Sequence, residues 1–335
     1  PAALRAWAEE HGQETFVGSS GRVFPRAMKT SPLLRAWLKR LDDLGVEFRL
    51  GHSWKGWDAD GRLIFETAAG EVAVAASCTL LALGGASWPR LGSDGSWTAP
   101  LADAGARITP LLPSNGGVRI GWSEVFRTRY AGTPLKRIAV ACGGETSRGE
   151  AMITADGMEG GAIYALSAPI REALLEHGTA ELMLDLRPDE QKAELAQRLA
   201  RPRGKQSLAT WLRKTLRLEG AAAGLLHEAA ISAGASLGSV SAETLIDLVK
   251  AVPIRVTGLA AIERAISTAG GLSFDDIDES FMLRTRPGIF VAGEMLDWDA
   301  PTGGYLLQAC FATGRAAAEG ARAYLAREAA SKSSR

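Results

Sequence analysis

The chain has 335 residues, with 38 Lys plus Arg against 38 Asp plus Glu, so its formal net charge is zero. Apolar residues make up 46% and charged residues 23%, the balance of a globular protein with material for about two domains. Neutrality argues against a dedicated nucleic-acid binder, and no apolar run approaches the ~20 residues of a membrane span.

Three well-separated cysteines (Cys78, Cys142 and Cys310) exclude a disulfide framework and a paired-cysteine redox motif, and four scattered histidines show no zinc spacing. Neither a signal-peptide pattern nor a lipidation motif opens the sequence, and the thiol usage predicts a cytoplasmic protein.

In chain order, residues 1–12 read as a helix with Leu4, Trp7 and Ala8 on one face and Gly12 at its end. Ser31 as N-cap and Pro32 at the first position predict a second helix. Its apolar stripe is Leu34, Trp37, Leu38 and Leu41, and Gly45 closes it. Val46, Phe48 and Leu50 alternate with polar residues and predict a half-buried strand. Turn signals at Asp60-Gly61 and at Gly70 predict a meander through residues 62–67 and then Val72 and Val74. Residues 79–83 are apolar on both faces, as in a central parallel strand, and run into Gly84-Gly85.

Residues 115–175 are glycine-rich with short β-like runs such as 138–142, and residues 188–250 look helical, including 206–218 and 220–233. Residues 187–219 hold nine basic and four acidic residues, read as a solvated helical face with nucleic-acid contact as the minor reading. Strand character returns at 253–257 and at 288–292, the latter ending in Gly293-Glu294. A loop through Asp297 reaches Gly303-Gly304, and residues 305–326 form one long helix with small residues suited to packing close to a sheet. A polar tail from Ser331 is expected to fray.

Two places therefore combine a buried strand with a glycine break. In an open parallel sheet, ligands bind beyond the carboxyl ends of the strands, and glycine lets the backbone approach a ligand closely. The second break carries more. A carboxylate at Glu294 can accept a hydrogen bond from a sugar-like hydroxyl. The helix opening at Gly303-Gly304 presents unpaired amides and a positive dipole end. That end suits a group gaining negative charge, such as the N1–O2 edge of a reduced flavin, at ~0.3–1 kcal/mol and up to ~2 in a partly buried site.

The segments GRVFP (21–25), LALGG (81–85) and GEMLDWDAPTGGYLLQ (293–308) closely resemble the bacterial BaiN/YhiN-like flavoproteins, a family of NAD(P)/FAD-dependent oxidoreductases. The likeness runs in order along essentially the whole chain. It implies an α/β fold: an FAD-binding domain of the glutathione-reductase type, residues 1–112 plus 273–330. An inserted β-rich and helical domain would occupy residues 113–272, with its helical part at 188–250.

By that resemblance FAD is the cofactor, with a nicotinamide (NADH or NADPH) as electron donor and an unknown acceptor. Gly293 and Glu294 would lie along the ribityl and phosphate side of FAD, with Asp297 in the loop beyond. Gly303, Gly304, Tyr305 and Leu306 would face the flavin ring, and Gly84 and Gly85 would lie near the phosphate-to-ribityl region. Family members begin with a strand, a GxGxxG turn and a helix. None of these is found here, so the resemblance implies an N-terminally truncated member whose first βαβ unit is missing. Many members also carry Asn after Gly-Gly-Tyr, where this chain has Leu306.

No side chain stands out as a catalytic acid or base, and no metal motif is found. Cys310 reads as a structural thiol. Arg22 could meet an anionic substrate near the flavin, and Trp88 and Trp298 could wall the cleft. Two other readings stand beside the oxidoreductase: a cofactor-free remnant acting as a structural or interaction module, and a nucleic-acid-modifying flavoprotein. The expected partners are an unidentified small-molecule substrate and further copies of the chain through self-association, rather than a membrane or nucleic acid.

Overall fold

The computed structural model describes residues 1–19, 21–200 and 203–333. The chain divides into two compact units, residues 1–111 with 269–335 and residues 112–268. None of the described helices is long and apolar enough to cross a membrane.

The first unit opens with α1 (Ala2–Glu10), the hairpin β1 (Thr15–Val17) and β2 (Val23–Pro25), and α2 (Ser31–Asp43). An antiparallel meander follows: β3 (Ser53–Trp57), β4 (Leu63–Thr67) and β5 (Gly70–Val74). Next come β6 (Thr79–Leu81), α3 (Thr98–Asp103) and β7 (Ile108–Ser114). Trp54, Leu63, Leu81, Trp97 and Leu101 pack into one core with Leu272, Val291, Met295 and Leu296 from the returning chain.

The second unit is built on a closed barrel of β8 (Val118–Ile120), β9 (Pro134–Cys142), β10 (Glu145–Thr154), β11 (Gly157–Glu159), β12 (Ala180–Asp185) and β13 (Val252–Leu259). Helices α4 (Glu124–Tyr130), α5 (Gly161–Tyr164), α6 (Ser167–His177), α7 (Lys192–Leu199), α8 (Leu208–Leu216), α9 (Gly220–Ser232) and α10 (Ala242–Lys250) lie between the strands. Period-two alternation is clear where one face is covered. In β12, Ala180, Leu182 and Leu184 are buried while Glu181 and Met183 point out. In β13, Val252, Ile254 and Val256 are buried in the same way. Gly157 permits closure, because a Cβ there would run into the Val118 carbonyl.

Strand β14 (Ser267–Leu272) pairs with β7 and returns the chain to the first unit. Then β15 (Ile289–Val291) lies parallel to β6 in the register Ile289↔Thr79, Phe290↔Leu80, Val291↔Leu81. Finally α11 (Tyr305–Ser333) packs its fully buried Ala317 against Phe290 and Ala292. The polar tail therefore stays helical through Ser333, and residues 334–335 lie outside the described residues.

Three expectations are corrected. Residues 46–50 form no strand, and Phe48 and Leu50 are exposed. Alternation specifies a strand only where a sheet covers one face, and among the described residues none pairs with this segment. The stripe of α2 is not buried: Leu34, Trp37 and Leu38 are all exposed. Trp37 instead meets Trp7 edge-on at 5.2 Å and Phe311 at 5.9 Å, an aromatic cluster joining α1, α2 and α11. Finally, β6 has one strand partner among the described residues rather than the two of a central strand, and Leu80 is 38% exposed.

Two glycines of α11 test how closely it packs. A Cβ at Gly320 would lie 2.5 Å from the Ser280 carbonyl oxygen and 3.1 Å from the Phe290 ring, whereas a Cβ at Gly314 meets nothing within 4 Å. Alanine is favoured over glycine inside a helix by about 1 kcal/mol, and overpacking costs about 1–3 kcal/mol. Gly314→Ala should therefore raise the thermal midpoint and Gly320→Ala should lower it. Scanning calorimetry of the pair reads both signs, and stabilisation by Gly320→Ala would refute the close approach.

Candidate functional site

The site begins where β6 and β15 end. The parallel ladder continues one step past the strands, with the Ala292 amide donating to the Leu81 carbonyl at 3.0 Å. Both chains then break on glycine. Gly84 takes φ +73° and Gly293 φ +84°, a region that L side chains rarely adopt. A Cβ at Gly84 would also lie 2.9 Å from Ser93 Oγ. The break at Gly84 is held by Trp97, whose indole Nε1–H donates to the Gly84 carbonyl at 2.9 Å.

The two breaks are joined by a hydrogen bond across 209 residues of sequence: the buried Gly85 amide donates to Glu294 Oε2 at 3.3 Å. A turn at Gly293–Met295 presents this carboxylate. The Gly293 amide donates to Thr313 Oγ1 at 3.1 Å, and that hydroxyl donates to the Ala309 carbonyl at 2.9 Å. The Glu294 turn therefore sits against the first turns of α11. Cys310 lies on the same side, its sulfur 3.8 Å from where a Cβ of Gly293 would be. Burial first, and then the Glu294 charge, push the Cys310 thiol up to about 11, against a backbone hydrogen bond from Glu294. A thiol held neutral in this way is a packing group rather than a nucleophile.

Gly303 and Gly304 take φ +123° and +92° immediately before α11. A Cβ at Gly304 would meet nothing within 4 Å, whereas one at Gly303 would lie 3.4 Å from the Tyr305 ring. The first helical amides lack intrahelical acceptors. Tyr305 is 63% exposed and Leu306 is half-buried beside it. The exposed Arg22 reaches this turn, its Nε 3.6 Å from where a Cβ of Gly303 would be.

Asp297 is engaged within the fold. Its Oδ2 accepts the Thr109 hydroxyl at 2.6 Å and its amide donates to the Leu272 carbonyl at 2.9 Å. Trp88 is exposed, and Trp298 is half-buried with a buried Nε1 that has no hydrogen-bond partner among the described residues. The fully buried Ser87 hydroxyl, three residues past Gly84, likewise has no partner. Thr313, Trp97 and Ser87 were not legible as site residues, since nothing local distinguishes them from core positions.

The profile of the HI0933-like protein Rossmann domain family matches residues 1–320. The chain belongs to this family. Among curated proteins, the HI0933-like chain is similar to the 3-dehydro-bile acid delta(4,6)-reductase of Clostridium scindens. The two are 26% identical over 253 residues, which cover 72% of this chain and 62% of the reductase. The chain thus matches less than two thirds of that relative's length. Family membership agrees with the parallel pair and its glycine breaks, and the barrel is the additional β-rich portion of this HI0933-like chain.

The Glu294–Cys310 contact predicts a titration. An unfolded thiol loses its proton near ~8.5, whereas folded Cys310 keeps it to about 11. Raising the pH through that window lets the unfolded chain release the proton first, so this group's contribution to stability is lost as pH rises. Glu294→Gln removes the repelling charge and should move iodoacetamide labelling of the Cys310 peptide to lower pH, read by mass spectrometry. An unmoved profile would contradict the contact.

Proposed function

We propose that the chain is the flavin-holding portion of an FAD-dependent oxidoreductase that passes electrons from a nicotinamide donor to an acceptor of unknown identity. Residues 1–111 and 269–335 would form an FAD-binding domain of the glutathione-reductase type, and residues 112–268 an inserted substrate domain. The observation that carries this reading is the Glu294 carboxylate receiving the Gly85 amide across the ends of two parallel strands, beside the opening of α11. Family membership and the reductase relative support an oxidoreductase.

The residues fit the group. In this reading the Glu294 carboxylate, fixed by the Gly85 amide, would accept a hydrogen bond from a ribityl or ribose hydroxyl. The amides of Tyr305 and Leu306, at the helix opening that follows Gly303 and Gly304, would donate to the electron-rich edge of the ring. Arg22 would add a positive charge near that turn for an anionic substrate group. Ser87 Oγ, buried without a partner, is a hydroxyl for which a bound polar group would supply an acceptor. When bound, the flavin supplies the redox chemistry, and the protein binds it and tunes its potential.

An interaction module without cofactor is the second reading. The uncovered apolar residues Leu34, Trp37 and Leu38 of α2 favour it, and self-association would follow from the same surface.

One titration separates them. Quenching of flavin fluorescence on adding the purified protein should report saturable FAD binding. Glu294→Gln should weaken it roughly tenfold, the loss of one hydrogen bond to a charged acceptor. A chain that leaves FAD fluorescence unquenched would overturn the flavoprotein reading in favour of the module.

A further inference from the structure

The second unit carries a cluster of cations that the flavin site does not use. Where β9, the segment after β12, α7 and the end of α8 meet, there is a hollow of about 720 Å³, within the size range of small-molecule sites. Lys136, Arg137, Arg187, Arg198 and Arg217 line it, with Asp189, Glu190 and Glu194. The acids hold most of the arginines in place. Asp189 takes Arg137 at 2.9 Å and Arg148 at 3.3 Å, and Glu190 takes Arg198. Arg187 is tied to the Leu186, Leu216 and Arg217 carbonyls. Burial first, and then the charges of Arg198, Arg137 and Arg217, push the Arg187 guanidinium below its ordinary value, against the pull of Asp185. Among the described residues, neither Lys136 nor the Arg217 side chain meets a carboxylate.

The backbone singles out the same place. Five non-glycine residues take positive φ among the described residues, and two of them, Arg137 (φ 55°) and Arg217 (φ 54°), line this hollow. Arg217 occupies the left-handed C-cap of α8, a position where glycine is the usual residue. An arginine held there keeps a strained backbone and adds a like charge beside Arg187. Backbone strain of this kind clusters at active sites and ligand clamps.

We propose that this hollow binds a compact small molecule carrying two linked phosphates, in the size class of a nucleoside diphosphate, with Lys136 and Arg217 closing on the phosphates. Guanidinium forks match phosphate oxygens in pairs, and the arginines fixed by Asp189 and Glu190 preorganise the rim. The interleaved carboxylates favour a compact ligand over a nucleic-acid strand, whose continuous backbone would pass Asp189 and Glu194.

The test is isothermal titration of the purified protein with pyrophosphate, with ADP and with a single-stranded RNA of 20 nucleotides, repeated for Lys136→Ala and Arg217→Gly. Pyrophosphate and ADP should both bind, more weakly as salt rises, and each variant should weaken them about tenfold. Arg217→Gly should melt no lower than the parent, since glycine takes φ 54° without strain; should it fail to fold, Lys136→Ala decides alone. Absence of pyrophosphate binding at millimolar concentration would overturn the proposal, as would binding that survives both variants. RNA binding that is steeply salt-dependent and lost in the variants, with no pyrophosphate binding, would assign the cluster to nucleic acid instead.

Discussion

Everything in the first unit that bears on chemistry depends on the parallel pairing of β6 with β15. Two strands 210 residues apart in register, Thr79 against Ile289, bring two glycine breaks to one end of one ladder. A parallel pair has both carboxyl ends on the same edge, the edge where open α/β sheets hold their ligands. Once the strands are aligned, the Gly85 amide and the Glu294 carboxylate come within hydrogen-bonding distance. The same pairing positions α11. Its small residues let it lie against Phe290 and Ala292 of the returning chain, and Gly293 is pinned to it through Thr313.

This arrangement explains why glycine stands at four of the site positions for different physical reasons. Gly84 and Gly293 turn the chain out of an extended strand at positive φ, and Gly84 is crowded by Ser93 as well. Gly303 and Gly304 turn it at the helix entrance, where Gly304 has open space around it. Side chains at the first pair would disrupt the ladder end. At the second pair they would be held at a strained positive φ, and at Gly303 would come against the Tyr305 ring.

The features legible in the sequence were those with strong local physics. Glycine after an apolar run marked both breaks, a short apolar run at 138–142 marked β9, strand character at 253–257 marked β13, and turn residues marked β4 and β5 of the meander. What was illegible depended on neighbours. Val46, Phe48 and Leu50 alternate correctly, yet among the described residues no strand pairs with them. Leu34, Trp37 and Leu38 sit at helical spacing, yet no sheet covers them, and Trp37 packs instead on Trp7 and Phe311. Thr313 bonds Gly293 only because α11 returns along β15, a long-range fact that the residues near Thr313 do not encode. Arg217 reads as one more base in a charged stretch until its left-handed backbone is seen.

The central claim is that a flavin seats on the edge formed by Gly84, Gly85, Gly293, Glu294 and the entrance to α11. Backbone amide NMR of isotope-labelled protein during an FAD titration tests it most directly, because it reports where the cofactor lands rather than only how tightly. The account predicts that the largest shifts fall on the Gly84, Gly85, Gly293, Glu294, Tyr305 and Leu306 amides. Shifts confined to the opposite ends of the same strands, around Ala76 to Thr79 and Arg286 to Ile289, would contradict it.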